Sequence, residues 1–80
     1  MKSSVAVMGI IVENLEAVEK LNALLHDYGD SIIGRMGLPH RVKGINIISI
    51  ALDAPEATIR ELEAKLDDIP GISASTAWSK

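Results

Sequence analysis

Arg35 and Arg41 flank a glycine-rich stretch that also holds Gly34, Gly37, His40 and Gly44. An arginine fork grips carboxylates and phosphates through paired N–H donors. Glycine lets a ligand come close to the backbone. Arg35, Gly37, His40 and Arg41 are therefore the candidate ligand-binding residues, for a carboxylate or a phosphate. The same pattern also fits a β-hairpin whose turn needs positive φ angles. His40 follows Pro39 and reads as an exposed turn histidine, since a metal site needs several convergent ligands. His26 lies on the polar edge of a helix, with Asn22 and Asp30 as its nearest local partners. The chain has no cysteine, which removes disulfides, iron–sulfur ligation and thiolate zinc sites. Asp53 reads as a helix N-cap, and Asp67 with Asp68 as solvated acids at a helix end. No phosphate-binding loop, dinucleotide fingerprint or nucleophile–base arrangement is present, so no catalytic residue is assigned and no cofactor is expected.

These residues must be held by elements that the apolar spacing marks out. Residues 5–12 are uncharged and rich in β-branched types, which predicts a buried strand. Asn14 can cap the helix that follows, along which Leu15, Val18, Leu21, Leu25 and Tyr28 recur at helical spacing, with Gly29 at its end. Residues 31–36 read as a short strand, 37–44 as a turn carrying Pro39, and 45–53 as a third strand. Pro55 suits the first turn of a helix, because its missing N–H would be unpaired there anyway. Ile59, Leu62, Leu66 and Ile69 form that helix's apolar stripe, and Glu56–Arg60 and Glu61–Lys65 are i,i+4 pairs in the favourable order. Pro70-Gly71 is a turn, and residues 72–78 are the last strand. The order βαββαβ defines one α+β domain over residues 1–80. It is a ferredoxin-like sandwich with a four-stranded antiparallel sheet and two helices on one face.

Two helices cover only one face of such a sheet, so the other face should be polar at alternate positions. Here it is not. In the first strand Ala6, Met8, Ile10 and Val12 oppose Val5, Val7, Gly9 and Ile11; in the third, Ile48, Ile50 and Leu52 oppose Ile45, Ile47, Ser49 and Ala51. A contiguous exposed apolar face is unusual in a soluble monomer. A second copy lying on the sheet is the simplest resolution, as a dimer or tetramer, with the tails or the central turn folding across as the alternative. Val5, Val7, Ile11, Ile45, Ile47 and Trp78 are the candidate interface residues.

Composition narrows the partners. The net charge is −3, with the eight Lys and Arg dispersed, which argues against direct nucleic-acid binding. No apolar run is long enough to span a bilayer and no leader pattern opens the chain, so a cytoplasmic location is expected. Eighty residues give a small core, and oligomerisation is a common way to reinforce one.

A family resemblance rests on longer stretches. They are Val7-Met8-Gly9-Ile10-Ile11-Val12-Glu13, His26-Asp27-Tyr28-Gly29-Asp30, Ile33-Gly34-Arg35-Met36-Gly37-Leu38-Pro39 and Gly44-Ile45-Asn46-Ile47-Ile48-Ser49. With Asp53-Ala54-Pro55 and the ends Pro70-Gly71-Ile72 and Thr76-Ala77-Trp78-Ser79-Lys80, they resemble the iron-only hydrogenase system regulator family along nearly the whole chain. The resemblance implies an ACT-like domain, similar to the C-terminal domain of nickel regulators. It would oligomerise, bind a small effector or a hydrogenase-system protein, and regulate rather than catalyse. Nickel-responsive relatives use Cys and His ligands and an attached DNA-binding module; with no cysteine here, metal sensing of that kind is not carried over. A small dimeric ferredoxin-like enzyme and a structural dimerisation subunit are the alternatives.

Overall fold

The computed structural model describes residues 2–80. The strands are β1 (Ser4–Val12), β2 (Ile32–His40), β3 (Ile45–Ala54) and β4 (Ile72–Trp78), and the helices are α1 (Val18–Asp27) and α2 (Glu56–Asp67). The strands form one antiparallel sheet in the order β2-β3-β1-β4. The element order and the ferredoxin-like architecture are those expected from the apolar spacing.

The core lies between the sheet and the two helices. Ala6, Met8, Ile10 and Val12 from β1 and Ile48, Ile50 and Leu52 from β3 are buried against Leu21 and Leu25 of α1 and Ile59, Leu62 and Leu66 of α2. These aliphatic side chains supply nearly all the burial; Tyr28 and Trp78, half-buried, pack at its margin. No helix among the described residues is long and apolar enough to cross a membrane.

Several local details differ from expectation. Asn14 does cap, its Oδ1 accepting from the Glu16 amide at 3.0 Å, but the turn it caps is a 3-10 turn, Leu15–Ala17, ahead of α1. Leu15 consequently points away from the core and is exposed. Asp53 is not an N-cap. It is the penultimate residue of β3, and α2 begins only after Pro55, whose extended ψ of 142° turns the chain into the helix without a side-chain cap. Gly29 opens a second 3-10 turn, Gly29–Ser31, rather than terminating α1 in a left-handed conformation.

The largest difference is the length of β2. Gly37, Pro39 and His40, expected in a turn, continue the strand, and the connection shrinks to residues 41–44. Pro39 is tolerated because β2 is an edge strand, where an outward-facing position needs no ladder donor. Gly44, with φ +68°, closes the turn by donating its N–H to the Arg41 carbonyl at 3.2 Å. Between Ile32 and Gly34 the β2–β3 register shifts at a bulge. That extra residue reverses the alternation of everything after it.

Candidate functional site

The bulge decides which side chains meet. Ile32 pairs with Leu52, on the helix-covered face, and simple alternation would put Gly34 and Met36 beside it. After the bulge, Arg35 pairs with Ile50, Gly37 with Ile48 and Pro39 with Asn46, so these three face the helices instead. There they border a groove of about 270 Å³, walled by Val18 and Asn22 of α1 and floored by Asn46 and Ile48 of β3. Leu38 also borders it, and no acidic side chain lines it.

Arg35 is the groove's one charged group, and its Nη2 donates to Asn22 Oδ1 at 2.8 Å. Arginine has no acceptor, so the Asn22 atom facing it must be the carbonyl oxygen. The Asn22 amide nitrogen is thereby left to donate elsewhere. Gly37 sits in the wall on the helix side, yet a Cβ built on it would meet nothing within 4 Å. The absent side chain is what keeps the groove open at that point.

The four candidate ligand residues therefore separate. Arg35 and Gly37 share the groove. His40, paired with Ile45, alternates to the other face of the sheet, and Arg41 lies in the connecting turn. Asn22 and Asn46 belong to the groove although sequence spacing did not mark them. An Asn four residues after Val18 on α1 becomes informative only once Arg35 is known to face it. Among the described residues, no group of three His, Asp or Glu is placed to hold a metal ion.

The other face of the sheet carries most of the candidate interface residues. Its rows run Gly34–Ala51–Val7–Ala77, Met36–Ser49–Gly9–Ser75 and Leu38–Ile47–Ile11–Ser73. Val5, Val7 and Ile47 are 47%, 49% and 37% exposed, and Met36 and Leu38 are 69% and 59% exposed. No described residue folds across them. The centre of the face is low: Gly9 lies between Ser49 and Ser75, and a Cβ on Gly9 would meet nothing within 4 Å. Trp78 does not join this set. It pairs with Ala6 on the covered face and packs at the core margin, with the Arg60 guanidinium 4.9 Å from its ring centroid.

The two helices are tied by a charged cluster. The Tyr28 hydroxyl donates to Glu61 Oε1, Lys65 Nζ lies 3.0 Å from the same oxygen, and Lys65 stands 5.3 Å from the Tyr28 ring centroid. The Tyr28 hydrogen bond, reinforced by Lys65, lowers the Glu61 pKa below the usual carboxylate range. Tyr28 and then Glu61 raise that of Lys65. Glu63 accepts from the Thr76 hydroxyl, and Asp67 Oδ1 accepts from the Ala74 amide at 2.9 Å, so α2 engages the β4 edge.

The sheet and its two helices define a ferredoxin-like α+β domain. The chain belongs to the TM1266-like family, described as "Iron-only hydrogenase system regulator, putative", which it matches over residues 4–76. Its fold is similar to the structure of an uncharacterized protein, TM1266, from Thermotoga maritima, at 30% identity and a TM-score of 0.94, covering 99% of this chain and 100% of that one. No curated protein matches it.

Proposed function

We propose that this protein is an oligomeric regulatory module whose open sheet face mates with a second copy and whose Arg35 groove takes a small effector. The family description supports regulation of an iron-only hydrogenase system. One observation carries the oligomer: an apolar sheet face with a glycine at its centre and nothing described above it. A glycine inside a strand weakens the strand but permits close approach of another backbone. Burying Val5, Val7, Ile47, Met36 and Leu38 together would remove an apolar patch that a lone domain leaves in water.

Light scattering behind size exclusion, across a dilution series, tests this. A dimer or tetramer is expected for the natural chain. Gly9→Arg should yield a folded monomer, because the added side chain has free space in one copy but would hold a second sheet away. A natural chain that stays monomeric at every concentration, or a Gly9→Arg variant that assembles as before, overturns the mating face.

A further inference from the structure

We infer that the groove between α1 and the β2–β3 hairpin selects a small α-oxo monocarboxylate with an apolar tail over the amino acid of the same skeleton. This rests on the effector reading of the groove and specifies its ligand.

Size comes first. About 270 Å³ is just under the lower limit of ordinary ligand clefts, roughly 300 Å³. The ligand is correspondingly small. Polarity comes next. Arg35 offers a fork suited to one carboxylate. Asn22 has its oxygen committed to Arg35 and so presents N–H donors. A carboxylate with an adjacent oxo oxygen is an acceptor-only head group, which matches this donor-rich side. An ammonium in place of the oxo group would face the Asn22 donors and the Arg35 cation, with no carboxylate lining the groove to receive it. Val18, Pro39 and Ile48 give the rest of the lining apolar surface that suits a branched aliphatic tail.

The surrounding field agrees. Residues 32–52, which supply the hairpin and most of the groove, hold Arg35, Arg41 and Lys43 and not one of the chain's eleven acids. An otherwise acidic molecule thus presents a cationic arm beside the groove, which favours approach of an anion.

The test is amide NMR of the full chain, following the side-chain signals of Asn22 and Asn46 during titration with α-ketoisocaproate, leucine and isoamyl phosphate. The ketoacid should perturb both signals at millimolar concentration and bind at least about tenfold more tightly than leucine, the loss expected for an unpaired charge. Gly37→Val should abolish ketoacid binding without unfolding the chain, since its side chain enters open space. Arg35→Gln should weaken binding about tenfold or more by removing the charged contact. Leucine or the phosphate ester binding as tightly as the ketoacid at these asparagines overturns the ligand class and leaves the effector groove standing. Silence of both asparagines towards all three probes overturns the class and the groove together. Ketoacid binding that survives Gly37→Val overturns the location.

Discussion

At the scale of single residues, the cluster of Tyr28, Glu61 and Lys65 makes the chain's clearest electrostatic statement. Its members lie at the surface, so the interactions are screened by water and salt. The sign of the linkage is nonetheless definite. Glu61 has its pKa lowered by folding, so its contribution is present above the unfolded value of roughly 4.3 and is lost as pH falls through the lower folded value. Lys65 has its pKa raised, so its contribution is present below roughly 10.4 and is lost as pH rises through the higher folded value. Tyr28→Phe removes the largest cause of both shifts. Carboxyl NMR should then show Glu61 titrating at higher pH than in the natural chain; an unmoved titration would show that Lys65 alone holds it down. Leu62 is a core counterpart, fully buried on the sheet-facing side of α2. Leu62→Ala should cost about 2–5 kcal/mol in urea unfolding. Total domain stabilities are typically about 5–15 kcal/mol, so that loss would consume a large part of it.

At the scale of elements, two glycines with positive φ do different jobs. Gly44 has φ +68° at the hairpin turn, with open space around a hypothetical Cβ. Gly44→Ala should therefore cost only the conformational penalty, about 1–2 kcal/mol. Gly71 has φ +85°, and its Cβ would strike that of Asn14 and approach the Asn14 backbone nitrogen to 3.1 Å. The same residue's carbonyl accepts from the Glu13 amide at 2.7 Å, tying the end of β1 to the start of β4. Gly71→Ala adds a backbone collision to the conformational penalty, and should destabilise clearly more than Gly44→Ala in parallel thermal melts. Equal losses would mean that the Asn14 segment can yield. The bulge in β2 is the other element-level device. It turns Arg35 and Gly37 toward α1, and a deletion of Ile33 that restored strict alternation would swing Arg35 to the opposite face. Loss of the Asn22–Arg35 hydrogen bond, read from the Asn22 side-chain shift, is the expected result.

At the scale of the whole molecule, stability and assembly are coupled if the open face mates with a second copy. A chain of 80 residues has a limited core, and association adds stabilisation that grows with concentration. The melting temperature of the natural chain should rise with protein concentration, while that of Gly9→Arg should not. A natural chain whose melting point is independent of concentration would separate the open face from folding stability. The two edges of the sheet also differ. On β4 the Ala74 amide is engaged by Asp67 of α2, whereas exposed β2 ends in the cationic hairpin that borders the groove. The open face and the groove thus occupy opposite sides of the same β2–β3 ribbon.

The sequence by itself determined the order of elements, the helix stripes and the core face of β1 and β3. Each of these follows from local periodicity: Ala6, Met8, Ile10 and Val12 alternate into the core wherever the strand is placed. The βαββαβ order also showed in advance that two helices would cover only one side of the sheet. Tertiary structure decided the rest. Pro39 looks like a turn until β2 is known to be an edge strand, and the phase of Arg35 depends on a bulge set by pairing with β3. Trp78 pairs with Ala6 and so belongs to the covered face, although its type suits an interface. Local spacing fixes which residues share a face within one strand; only the pairing register fixes which strands and helices that face confronts.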